Sequence, residues 1–130
     1  MEEGSGMTIK GSVAEVALFP EELIAAILLS TSGSVSDLSR KLIELKNHGI
    51  NIGYIAIRRV PEGFYSEDID QHISYLLTYD YVRERSPTVT LSEKGRNLCE
   101  EVVKSAYKRN PDVVGRMAEV LKIDLKKLIR

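Results

Sequence analysis

Residues 81–96 read Tyr81-Val82-Arg83-Glu84-Arg85-Ser86-Pro87-Thr88-Val89-Thr90-Leu91-Ser92-Glu93-Lys94-Gly95-Arg96. Two short runs of β-branched and aromatic residues flank Ser86-Pro87, a turn pair, so the stretch predicts a two-stranded ribbon, 81–85 and 88–91. Leu91 is placed to plug the core at the end of the returning strand. Ser92 is a good helix N-cap and Glu93 faces the positive end of the helix it opens. That helix is expected over about 92–108, with Leu98, Cys99, Val102 and Ala106 as its apolar stripe. Gly95 in its first turn is expected to permit close packing. Asn110-Pro111 breaks the helix, and a last one begins at Pro111-Asp112. There Val114, Ala118, Leu121, Leu125 and Leu128 repeat with 4-3-4-3 spacing, the pattern of a coiled-coil-like dimerisation seam. Asp124 is placed to interrupt that run and cap a short final helix.

Upstream of the ribbon, Ser66 caps a helix running to about Thr78, with Glu67 and Asp68 in its first turn. Tyr65, Ile69, Ile73, Leu76 and Leu77 share its apolar side. Pro61-Glu62-Gly63 reads as a turn. Before it, Ile50, Ile52, Tyr54 or Ile55, and Ile57 roughly alternate, so 52–59 reads as a strand closed by Arg58 and Arg59. A helix capped near Ser36, with Asp37 in its first turn, ends at His48-Gly49, and Leu38, Leu42 and Leu45 form its buried face. An earlier helix starts at Pro20, carries Leu23, Ile24, Ile27 and Leu28, and stops at Ser30-Thr31-Ser32-Gly33-Ser34. Residues 1–12 hold three Gly, two Ser and few apolar side chains, which reads as a mobile tail. The division is therefore a tail at 1–12, one domain at 13–110 and a C-terminal helical element at 111–130.

At 130 residues the chain holds one well-buried domain, and 43% hydrophobic with 28% charged residues is the composition of a globular protein. Eighteen Lys+Arg against nineteen Asp+Glu give −1, so nucleic-acid binding would have to rest on a local basic patch. One Cys and two His exclude an internal disulfide and a zinc ligand set. The longest apolar run, Leu23 to Leu29, is far short of a membrane span. Without a basic-then-apolar opening, the N-terminus does not read as a secretory signal, and a cytoplasmic protein is expected. His48 and His72 have no catalytic partner at recognisable spacing, and Cys99 falls on an apolar stripe. With no phosphate loop or nucleophile motif present, the chain is expected not to be an enzyme and to need no cofactor.

A helix, a short ribbon and Leu91-Ser92-Glu93-Lys94-Gly95-Arg96 entering a long helix resemble the C-terminal half of a winged helix-turn-helix domain, over about residues 64–105. In that family Ile73-Ser74-Tyr75-Leu76-Leu77-Thr78-Tyr79-Asp80-Tyr81-Val82 matches the end of the recognition helix and its exit, and 81–91 matches the wing. The resemblance implies an α+β fold: a winged helix-turn-helix with an extra strand segment between helices 2 and 3 and a C-terminal helical extension. It implies a small prokaryotic or archaeal transcriptional regulator that binds double-stranded DNA as a homodimer. The order Leu-rich helix, strand, Pro61-Glu62-Gly63-Phe64-Tyr65-Ser66, helix, wing is also similar to SocA-like antitoxin domains. Those carry a Tyr-Gly-Pro-Tyr-Ser-like segment at that point, and the Gly-Pro pair is absent here.

Charge sorts the candidate contacts. The helix matching the recognition helix carries Glu67, Asp68 and Asp70 and no Lys or Arg, which sets like charge toward phosphates. Gln71 suits adenine, and Ser66 and Ser74 complete its base-reading candidates. Arg83 and Arg85 alternate on the wing strand and point to one face, so they are the leading phosphate contacts. Arg40, Lys41, Arg58, Arg59, Lys94 and Arg96 are the further basic candidates. Against DNA binding stands a protein-interaction module or an antitoxin-like partner docking through acidic helix 66–78, with Tyr75 and Tyr79 beside it.

Overall fold

The computed structural model describes residues 8–9 and 18–129. In chain order these form β1 (Thr8–Ile9), α1 (Pro20–Ser30), α2 (Val35–Asn47), β2 (Ile57–Val60), β3 (Gly63–Tyr65), α3 (Glu67–Thr78), β4 (Val82–Arg85), β5 (Thr88–Leu91), α4 (Glu93–Arg109), α5 (Pro111–Leu121) and α6 (Leu125–Ile129). The fold is α+β, as expected. Two small antiparallel sheets occur among the described residues, one ordered β1-β2-β3 and one β4-β5. Gly33, between α1 and α2, adds a bridge to Val89 of β5, with both backbone bonds made at 2.8 and 3.2 Å.

The helices wrap one core. Leu23 and Ile27 of α1, Leu38, Leu42 and Leu45 of α2, Ile69 of α3 and Met117 of α5 are all essentially sealed from water. Val82 and Val89 carry the ribbon's inner face into the same cluster. No helix among the described residues is long and apolar enough to cross a membrane.

Helix starts follow local hydrogen-bonding logic. Ser34, two residues before the expected cap, opens α2: its Oγ accepts the Asp37 N–H at 3.2 Å, and Asp37 Oδ2 accepts the Ser34 N–H at 3.0 Å. This reciprocal pairing at spacing three satisfies two orphan donors and outcompetes Ser36. Ser36 Oγ instead accepts the Phe64 N–H at 3.2 Å and fastens the β2–β3 hairpin to α2. Ser66 and Ser92 cap α3 and α4 as expected, accepting the Ile69 and Gly95 N–H groups.

Several expectations are corrected. The strand expected at 52–59 forms only over 57–60. Ile50, Ile52, Ile55 and Ile57 are all buried, but their 2-3-2 spacing breaks strict alternation. Gly53 sits at φ 63°, its N–H donating to Asn51 Oδ1, so the chain turns there and plugs the core as a loop. Pro61-Glu62-Gly63 does turn, but into a returning strand, β3, which the sequence reading did not include. On α4 the fully buried side chains are Cys99, Val103 and Ala106, while Leu98 and Val102 are half-buried. Thr8–Ile9, within the expected tail, pairs with Ile57 and Arg58 of β2; the rest of 1–12 lies outside the described residues.

The 114–128 seam is also corrected. Lys122 adopts a left-handed conformation, φ 62°, and ends α5, with the Ile123 N–H donating to Ala118 O at 2.8 Å. Asp124 then caps α6 through the Lys127 N–H at 3.3 Å. Val114, Ala118 and Leu121 are buried in the chain's own core, and Leu125 and Leu128 sit half-buried on a different helix. The five residues therefore form no continuous exposed stripe for a dimer.

Candidate nucleic-acid interface

Strand pairing decides where the wing arginines point. Val82 opposes Leu91 and Glu84 opposes Val89 on the inner side, which puts Arg83 opposite Thr90 and Arg85 opposite Thr88 on the outer one. Both arginines are exposed, and neither is in a salt bridge with a described residue. Ser86-Pro87, joined by a cis peptide, turns the ribbon.

The β2–β3 hairpin presents a second set of cations. Its register sets Arg58 opposite Tyr65 and Arg59 opposite Phe64. The Arg58 guanidinium lies 5.2 Å from the Tyr65 ring centre, and Arg59 lies 5.4 Å from that of Phe64. Arg40, reaching from α2, lies 5.2 Å from the same Phe64 ring. The rings hold three guanidiniums by cation–π attraction without neutralising them. Gly63 makes the approach possible: at φ 139° it closes the turn, and a Cβ there would meet Ser36 Oγ at 2.6 Å.

The hairpin and the wing are walls of one groove of about 470 Å³. Ser36, Arg58 and Phe64 line one side, and Glu84, Ser86 and Pro87 the other. A neighbouring hollow of about 450 Å³ sets Arg58 and Tyr65 beside Asp68 and Gln71 of α3. Two α3 carboxylates have structural duties at this edge. Asp68 Oδ2 accepts the Ala56 N–H at 3.1 Å, and Asp70 Oδ2 accepts the Tyr65 hydroxyl at 2.7 Å. That hydroxyl bond, with burial and the nearby acids, raises the Tyr65 pKa above the ordinary phenol value despite Arg58.

The remaining candidates divide clearly. Gln71 and Ser74 are exposed on α3. Ser66 is 1% exposed and spends its Oγ on the α3 cap, so it is removed as a base contact. Lys94 donates to Tyr79 O at 2.9 Å and lies over the Tyr81 ring, and Lys41 pairs with Glu44 at 3.4 Å. Arg96 opens onto a different cleft, with Glu100, Lys122, Asp124 and Lys127. What the sequence reading missed is the platform of Phe64 and Tyr65. The available signal was the near-mirror of Arg58-Arg59 and Phe64-Tyr65 about Pro61-Glu62, which a hairpin register pairs directly.

The other reactive side chains are quiet. Burial is the main influence on Cys99, pushing its thiol up to about 11. Burial likewise lowers the His72 pKa, against the opposing pull of Glu21. Among the described residues no group of three or more His, Cys, Asp and Glu could hold a metal ion. No protein-family model, curated protein or solved structure matches the chain.

Proposed function

We propose that the chain is a winged helix-turn-helix protein that binds double-stranded DNA and acts as a transcriptional regulator. The element order supports the architecture: α1, a bridging residue paired to β5, α2, α3, then the β4–β5 ribbon as wing, with α4–α6 as the helical extension. The β2–β3 hairpin replaces the short turn that ordinarily joins the last two helices of such a motif.

The observation that carries the reading is the distribution of unpaired cations. Arg40, Arg58, Arg59, Arg83 and Arg85 lie on α2, the hairpin and the wing, and none makes a salt bridge with a described residue. Phosphate contacts supply most of the affinity for DNA, and these guanidiniums are oriented for that role by aromatic rings or by strand register. On α3 the exposed Gln71 and Ser74 are the base-reading groups.

Fluorescence anisotropy of a labelled random duplex at about 50 and 200 mM salt tests this. Binding that is strong at low salt and lost at high salt is expected. Arg83→Glu/Arg85→Glu should weaken it at least about tenfold and reduce the salt slope by about two. Unchanged affinity in that folded variant would remove the wing from the interface. No binding at either salt would favour the protein-interaction or antitoxin-like reading, which draws on acidic α3 and on Tyr75 and Tyr79, whose tilted rings have centres 5.0 Å apart.

A further inference from the structure

Away from the hairpin and wing, α1, α3 and α4 enclose a surface of opposite character. A cavity of about 150 Å³ lies between them, walled by Ala25, Leu28, Leu76, Leu98 and Val102. It adjoins a shallower hollow of about 340 Å³ reaching Tyr54 and Ile55, and Glu21, His72 and Tyr75 line both. Tyr54 is 71% exposed and Tyr75 is 52% exposed. Aromatic rings standing in water at the rim of an apolar hole are the composition of an interface core rather than of ordinary surface.

Charge narrows the occupant. Glu21 and Asp68 line this surface, and neither makes a salt bridge with a described residue. Among the described residues no Lys or Arg lines either hollow. Asp68 gives one oxygen to the Ala56 N–H but keeps its charge. An acidic occupant would meet two carboxylates and no cation within these hollows, and a neutral one would leave them unused.

We infer that these joined hollows are a docking site for a cationic, amphipathic segment of a partner protein. One leucine- or methionine-sized side chain seats in the 150 Å³ cavity, and flanking Lys or Arg face Glu21 and Asp68. The rim charges set orientation and partner choice, while the buried anchor supplies most of the affinity. The inference goes beyond DNA binding and does not depend on it, because it uses none of the five arginines.

The test is a titration of the ¹⁵N-labelled chain with a synthetic amphipathic peptide of leucine and lysine. A control peptide carries glutamate in place of every lysine. The lysine peptide is expected to bind at least about tenfold more tightly and to shift the amide signals of Ala25, Leu76 and Val102. Ala25→Leu, which fills the cavity, and Glu21→Lys, on the exposed rim, should each weaken it about fivefold or more while duplex affinity stays unchanged. Equal binding of the two peptides, or shifts centred on the wing, would overturn the proposal. So would a response that survives both substitutions, or signals that broaden with protein concentration alone and thereby assign the surface to a second copy.

Discussion

Replacing Gly95 by alanine should destabilise the protein even though alanine is the better helix former. Gly95 lies in the first turn of α4, and a Cβ there would fall 1.7 Å from Tyr81 O and 2.7 Å from Tyr81 C. A carbon and a carbonyl oxygen need about 3.3 Å, so α4 would have to withdraw from the start of the ribbon by roughly 1.6 Å. Both obstructing atoms are backbone, and no rotamer change relieves them. The withdrawal strains two bonds that fix this junction, Ser92 N–H to Tyr81 O at 3.0 Å and Ser92 Oγ to Asp80 O at 2.7 Å. Overpacking costs about 1–3 kcal/mol and each weakened bond about 0.5–1.5, against a helix-propensity gain of about 1. The expected net loss is about 1–5 kcal/mol, or roughly 4–18 °C in Tm for 130 residues. Gly115 is the internal control, since within α5 a Cβ meets nothing within 4 Å. Gly115→Ala should stabilise by about 0.5–1 kcal/mol. Urea unfolding followed by far-UV circular dichroism measures both. Gly95→Ala within about 0.5 kcal/mol of the parent, or both variants moving in the same direction, would refute the reasoning.

Arg109 makes a two-bond clamp on buried Glu22, 2.7 Å for each N–O pair, while the Phe19 N–H donates to the same carboxylate at 2.8 Å. Arg109→Ala should cost about 2–3 kcal/mol by denaturant unfolding, and a change under about 0.5 would contradict the clamp. Burial is the largest single influence on Glu22 and raises its pKa, but the bonds and charge of Arg109, with the Phe19 amide, together hold it below the usual carboxylate value. A depressed folded-state pKa contributes stability that is present above the unfolded value and lost as pH falls through the folded one. Glu22→Gln should accordingly flatten the acid limb of the stability profile, and an unchanged limb would assign acid unfolding elsewhere. With its thiol pushed up to about 11, Cys99 should react with iodoacetamide at pH 8 about a hundredfold more slowly in the native than in the urea-unfolded chain. Comparable rates measured by mass spectrometry would place the thiol in reach of solvent. Leu121, 5% exposed, belongs to the core rather than to a free seam, so Leu121→Lys should unfold the protein instead of yielding a folded monomer. A cooperative melt near the parent Tm with a changed molar mass would restore the dimer seam.

Local chemistry made much of this fold legible. Ser66 and Ser92 were readable as caps because capping is decided by a hydroxyl and an N–H three residues away. Leu38, Leu42 and Leu45 were readable as a buried face because helical spacing alone aligns them. The ribbon and its outward arginines followed from alternation across a turn, and the ban on a side chain at Gly95 was visible as a glycine in a first turn.

Other features depend on atoms distant in the chain. Ser34 wins the α2 cap through its local pairing with Asp37, but the task left to Ser36, accepting the Phe64 N–H from 28 residues away, is set only by the tertiary fold. Isoleucines at 50, 52, 55 and 57 look like a strand until Gly53 turns the chain and lets each fill a separate gap in the core. The 114–128 pattern satisfied a coiled coil as well as it satisfied packing on the chain's own helices. Only the left-handed Lys122 and the burial of Val114, Ala118 and Leu121 separate the two. By itself the sequence determined which residues are apolar, capping or charged, because those are properties of single side chains and near neighbours. Tertiary structure decided what each one faces, including the pairing of Arg58 and Arg59 with aromatic rings and the burial of Ser66, because packing and register compare alternatives that local energies leave almost equal.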